Sequence, residues 1–132
     1  MNLTRYLNVD CILRSDKSLA KLLSSLKDDV YVLWNQPFDN GSFVGIETNL
    51  VKTSGPEEDI AEFIRLFDSA SVLDDLSKCQ EKIFDVGFES GDSGDPLNVI
   101  ISADLVNKIS ELGFSIKIRV YPVPQIEAEV DA

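Results

Sequence analysis

Few residues of this chain are equipped to do chemistry, and their spacing mostly excludes mechanisms. Gly91-Asp92-Ser93-Gly94-Asp95-Pro96 has the look of the stretch around a serine-protease nucleophile. Aspartate stands at position 95 where that stretch has glycine, and the chain has no histidine to take the serine's proton. The segment is therefore expected to be a solvated loop. Glu89, Asp92, Ser93 and Asp95 are hard oxygen ligands of the kind calcium takes, but they lack the spacing of an EF-hand loop, so no metal site is assigned and calcium stays open. Adjacent acids at Asp28-Asp29, Glu57-Glu58-Asp59 and Asp74-Asp75 do not face each other on a helix; capping and solubility account for them. Neither GxGxxG nor GxxxxGK[ST] occurs. Cys11 and Cys79 form no CxxC pair, have no histidine to complete a zinc site, and are expected to be buried free thiols. No catalytic residue and no cofactor is assigned.

What remains is charge. Twenty-three acidic residues stand against twelve basic ones, for a formal net charge of −11. Such an excess repels nucleic acid and anionic membranes and speeds encounter with basic partners. From Lys27 to Lys52 no basic residue interrupts Asp28, Asp29, Asp39 and Glu47; from Lys82 to Lys108 none interrupts Asp85, Glu89, Asp92, Asp95 and Asp104. If the loops at 36–41 and 90–95 lie at one end of a sheet, they make an acidic rim, with Trp34, Phe38 and Phe43 as aromatic anchors.

The elements that must position these groups follow from periodicity. Tyr6 to Arg14 alternates as a half-buried strand, with Leu7, Val9, Cys11 and Leu13 on one face. Ser15 or Asp16 caps a helix with a stripe of Leu19, Leu22, Leu23 and Leu26. Val30 to Trp34 is apolar on both faces, which suggests a central strand, and a loop leads to a strand from Phe43 to Leu50. Pro56 opens a helix whose stripe is Ile60, Phe63, Ile64 and Phe67, and a shorter helix runs from about Val72 to Cys79. Strands are expected at Lys82–Glu89 and Leu97–Ser102. Ser102 then caps a helix with Leu105, Val106, Ile109 and Leu112 inside and Gly113 as its stop. Phe114 to Tyr121 alternates as the last strand, with Phe114, Ile116, Ile118 and Val120 inward, and an acidic tail at about 123–132 is expected to be loose.

The order β-α-β-β-α-α-β-β-α-β over 132 residues predicts a single α+β domain. It should be a two-layer sandwich: a mainly antiparallel sheet, helices packed on one face, with ferredoxin-like elements in the first part. No segment reaches about 18 consecutive apolar residues and the N-terminus lacks a charged leader, so a cytoplasmic location is expected.

Three segments carry a resemblance. Phe84-Asp85-Val86-Gly87-Phe88-Glu89-Ser90-Gly91, the stretch Ile101-Ser102-x-x-Leu105-x-x-x-Ile109-x-x-Leu112-Gly113, and the alternating strand ending Tyr121-Pro122 follow one another. With Gly45-Ile46-Glu47-Thr48-Asn49-Leu50 before an acidic helix, they resemble a family of small acidic bacterial domains of unknown function, over about residues 43–122. That family includes immunity proteins of contact-dependent growth inhibition. The resemblance implies a non-enzymatic inhibitor of a cognate toxin, such as a basic nuclease, whose cleft the acidic surface would cover. Candidate contacts are Phe38, Asp39, Glu47, Asp85, Glu89, Asp92 and Asp95. The alternative is a small-ligand or metal-binding enzyme using carboxylates. Charged residues on the last strand guard its edge, so a monomer is expected over a homodimer.

Overall fold

The computed structural model describes residues 2–49 and 55–122; the expected tail at about 123–132, and Leu50, lie outside the described residues. The elements are β1 (Arg5–Ser15), α1 (Ala20–Leu26), β2 (Val30–Phe38), β3 (Gly41–Thr48), α2 (Pro56–Leu66), α3 (Ala70–Ser77), β4 (Glu81–Glu89), α4 (Ala103–Glu111) and β5 (Ser115–Tyr121). The strand expected at Leu97–Ser102 is absent: that stretch pairs with no strand. Its alternating Leu97, Val99 and Ile101 serve a different geometry. β4 and β5 are parallel neighbours, so the chain must travel back along the sheet between them. A nine-residue α4 covers only about 13 Å of that path, and the extended segment before it supplies the rest.

The five strands form one mixed sheet in the order β2-β3-β1-β4-β5. Pairings β2–β3, β3–β1 and β1–β4 are antiparallel, and β4–β5 is parallel. The architecture is thus α+β, with a single sheet and helices, while the mainly antiparallel and ferredoxin-like expectations are met in part. Val30 to Trp34 lies in β2 at the sheet edge rather than at its centre. A register shift between Val32 and Trp34 leaves Leu33 unpaired and sets Val32 and Trp34, which simple alternation would place on one face, on opposite faces of the sheet.

One face of the sheet meets the helices. Val9, Cys11, Leu13, Val44, Ile46, Phe84, Val86 and Phe88 share a core with Leu22, Leu26, Ile60, Phe63, Phe67, Val72, Leu76, Leu105 and Ile109. Local signals set several helix ends as the sequence implies. Pro56 begins α2 with Glu57, Glu58 and Asp59 in its first turn. The Ser102 hydroxyl accepts from the Leu105 N–H at 3.2 Å, and Gly113 takes a positive φ of 76° beyond α4. The expected cap at Ser15 or Asp16 is not used, because β1 continues to Ser15 and α1 begins only at Ala20. Val106 faces outward, at 47% exposed.

A second register shift, between Tyr6 and Asn8, alters the β1 face pattern. It leaves Leu7 exposed and sends Tyr6 to the core side, beside Phe88. There the Tyr6 hydroxyl donates to Asp59, whose other carboxylate oxygen accepts from Thr48 Oγ1 at 3.3 Å. Asp59 is consequently buried rather than on a solvated helix surface.

Candidate partner-binding face

Alternation along each strand turns a second set of side chains to the sheet face opposite the core. Trp34 and Gln36 of β2, Phe43, Gly45 and Glu47 of β3, Asn8, Asp10, Ile12 and Arg14 of β1, Asp85 and Gly87 of β4, and Lys117, Arg119 and Tyr121 of β5 occupy it by register. Trp34 lies flat across Gly45, where a Cβ would sit only 2.4 Å from the indole. Glycine at this position therefore lets the ring settle on the sheet, 5.7 Å from the Phe43 ring.

At the centre of this face three carboxylates converge from three strands. Asp10 is the cross-strand partner of Asp85. The antiparallel β1–β3 register, which pairs Cys11 with Ile46, sets Glu47 on the other flank of Asp10. The Asn8 side-chain amide bridges two of them, donating to Asp10 Oδ1 at 3.1 Å and to Glu47 Oε2 at 2.9 Å. Arg119 donates through Nη2 to Asp85 Oδ2 at 2.7 Å, and Asp85 is almost fully buried. Its guanidinium also lies 5.9 Å from the Tyr121 ring.

Charge is unbalanced in this group. Burial, then the hydrogen bond and charge of Glu47, then the charge of Asp85 push the Asp10 carboxyl from its ordinary 3.8 up to about 7, with Arg119 pulling the other way. Asp10 therefore keeps its proton to a far higher pH than an ordinary aspartate. Because its folded value lies above its unfolded one, the native state holds the extra proton between pH 3.8 and about 7, and stability falls as pH rises through that window. Asp10→Asn is expected to remove this fall and to be about 1–2 kcal/mol more stable than the parent at pH 8, a figure discounted for the half-exposed position. Urea unfolding at pH 4, 6 and 8 measures it; equal stability of the two proteins at pH 8 would show that Asp10 is not under this charge pressure.

The seven contacts expected from the sequence fall into three separate places. Glu47 and Asp85 belong to the central group. Phe38 and Asp39 sit at the β2–β3 turn, where Asp39 takes a positive φ of 53° and the Arg14 guanidinium lies 5.0 Å from the Phe38 ring. Glu89, Asp92 and Asp95 lie at the opposite end of the sheet. β1 runs antiparallel to both β3 and β4, so Ser15 meets Ser42 near the first turn and Arg5 meets Glu89 near the second loop. The two loops are thus about 30 Å apart, the length of β1, and the expected acidic rim does not form.

The second loop is also less free than its composition implies. Glu89 pairs with Arg5 at 2.9 Å. Asp92 Oδ1 accepts from the Asn2 N–H at 2.6 Å, and the Asp92 and Ser93 N–H groups donate back to the Asn2 carbonyl. Asp92 and Asp95 are both exposed, and Glu89 is half-buried. Asp10, expected on the polar face of the first strand, is not among the seven contacts expected from the sequence. Its signal was only an acidic residue on the polar side of an alternating strand, between Val9 and Cys11.

Among the described residues, no group of three or more histidines, cysteines or acids is arranged to hold a metal ion. Cys11 is a buried free thiol, while Cys79, expected to be buried as well, is half-buried. Burial pushes Cys79 up to about 11 and Cys11 well above the ordinary value, which makes both poor nucleophiles at neutral pH. No described helix is long and apolar enough to cross a membrane. Comparison with protein-family models, curated proteins and solved structures finds no match to this chain.

Proposed function

We propose that this chain is a non-enzymatic, cytoplasmic immunity protein that binds and neutralises a basic toxin domain, such as a nuclease, with the helix-free face of its sheet. In this proposal its first four strands with α1 and α2 are a ferredoxin-like unit that presents the face, and the protein acts as a monomer. The observation that carries the reading is the central group of Asp10, Glu47 and Asp85, in which the Arg119 guanidinium donates to Asp85 while Asp10 stays under carboxylate repulsion. A lysine or arginine from a partner would relieve the repulsion that drives Asp10 toward neutrality, and this relief is a gain specific to a cationic partner. Trp34, Phe43 and Tyr121 flank the group and supply the apolar, aromatic part of a protein interface. A net charge of −11 steers such a partner in and turns nucleic acid and anionic membranes away.

The experiment is direct. A basic toxin domain encoded beside the gene for this chain, purified and mixed with it, should form a one-to-one complex by light scattering and lose its activity. A neighbouring toxin that stays unbound and active would reject the proposal.

One observation favours a second reading. A carboxyl that titrates near 7 beside a second carboxylate is also the equipment of general acid–base catalysis. The group lies on an open sheet face, and the cavities along the helices and at the β2–β3 turn are lined by other residues. A substrate would have little to enclose it there, so the protein partner is preferred.

A further inference from the structure

β2 is an edge of the sheet, paired among the described residues with β3 alone. Of the five strands it is the one without a charged residue, reading Val30-Tyr31-Val32-Leu33-Trp34-Asn35-Gln36-Pro37-Phe38. Only Val30 is buried and Trp34 half-buried, while Tyr31, Val32 and Leu33 are 60%, 46% and 44% exposed. The register shift leaves Leu33 with no partner on β3, and Pro37, which has no N–H, ends the usable edge near the turn. The other edge strand differs. β5 is exposed throughout, including Ile116, Ile118 and Val120, which alternation predicts inward, since it has a strand on one side only. It carries Lys117 and Arg119, however, and its apolar row borders a groove already lined by Pro56 and Ile60 of α2.

A long edge strand without charges is open to pairing with another strand. Here the charges stand at its ends. Asp28 and Asp29 precede Val30, Asp39 follows Phe38, and all three are exposed; on β3, Glu47 is the cross-strand partner of Tyr31. Of the basic groups near these acids among the described residues, Arg14 is held by Glu81 at 2.8 Å and Arg65 by Glu62 at 2.7 Å, which leaves Lys27 to face them. The fitting occupant is thus apolar in the middle and cationic at both ends. A second copy of β2 fails that requirement, because an antiparallel two-fold pairing brings the Asp28-Asp29 end of one copy to the Asp39 end of the other. An acidic segment fails it for the same reason.

We propose that the outer edge of β2 is a docking strand for an extended segment of a basic protein, apolar in its centre and carrying lysine or arginine at both ends, joined by a backbone ladder along Tyr31 to Gln36. The partner has the basic charge of the toxin reading, but the site is a strand edge rather than the sheet face, and a peptide suffices to test it.

Trp34, the chain's one tryptophan, lies in this strand and reports on it. The probe is a short peptide of alternating valine and threonine with a pair of lysines at each end, and its twin has glutamates in their place. Titrated to millimolar concentration at low salt, the lysine peptide should change Trp34 fluorescence saturably and slow hydrogen exchange of the β2 amides by about threefold or more while β5 stays as it was. The glutamate peptide should bind at least about tenfold more weakly. Leu33→Lys sets a guarding charge at an exposed position of the edge and should weaken the lysine peptide by about tenfold; Tyr31→Lys makes the same test if that variant does not fold. No response to the lysine peptide, equal binding of the two peptides, or protection of β5 rather than β2 overturns the proposal. So does a full chain that light scattering finds dimeric and that Leu33→Lys makes monomeric, since the occupant is then a second copy. A neighbouring toxin that stays unbound rejects the toxin reading alone, because the peptides decide this one without it.

Discussion

Phe84→Ala is expected to lower stability by about 3–5 kcal/mol, the largest single-residue effect in this fold. The Phe84 ring stacks on Phe114 at 4.2 Å between centroids and meets Phe63 at 5.7 Å. Phe67 closes the circuit, 5.8 Å from Phe63 and 5.9 Å from Phe114. The four rings tie α2, the residue just after it, β4 and the entry to β5 into one packing unit, and Phe63, Phe67 and Phe84 are fully buried. Truncating the Phe84 ring leaves a cavity bounded by the stiff rings of Phe63 and Phe114, which cannot collapse into it, so both the transfer loss and the void contribute. Ile118→Ala, at a position 66% exposed, is expected to stay within about 1 kcal/mol. Urea unfolding of the two variants decides the matter. A Phe84→Ala protein within 1 kcal/mol of the parent would mean that the rings do not form one cluster.

The contrast between those two residues shows where sequence reasoning reaches and where it stops. Period and local chemistry are written in neighbouring residues. Ser102 and Gly113 bound α4, Pro56 opens α2, and the alternation from Val9 to Leu13 marks a core-facing strand. Adjacency is not local. Ile118 and Val86 alternate equally well, yet β4 lies inside the sheet and β5 at its edge. The same gap turned Val30 to Trp34 into an expected central strand. It also made a strand of Leu97–Ser102, which is the return path of a parallel crossover.

The functional face suffered most from this limit. Glu47 and Asp85 were legible as acids on alternating strands, but their meeting at Asp10 depends on β1 lying between β3 and β4 in antiparallel register. Loop composition suggested a rim at 36–41 and 90–95. Nothing in either loop records that they close opposite ends of the sheet, because that depends on the direction of the strand between them.

The last prediction separates the sheet face from those loops. Glu47→Lys is expected to weaken binding of a basic partner by about 2–3 kcal/mol, roughly 30–150-fold in Kd. It puts a cation where the partner's own cation is proposed to enter, and the site's negative potential falls at its centre. Asp95→Lys alters net charge by the same two units but lies at the far end of the sheet on an exposed loop. It should change only the long-range steering, slowing association a fewfold at low salt and hardly at all near physiological ionic strength. Asp95 is a cleaner control than Asp92, whose carboxylate holds the Asn2 N–H. Asp10 adds a pH signature. A bound cation favours its ionised form, so the complex should tighten from pH 6 to pH 8 in the parent, and Asp10→Asn should flatten that rise. Surface-capture kinetics at two salt concentrations and two pH values read all three effects on one partner. If Asp95→Lys weakens binding as much as Glu47→Lys does, the interface lies at the sheet's end and the central carboxylates are not its core.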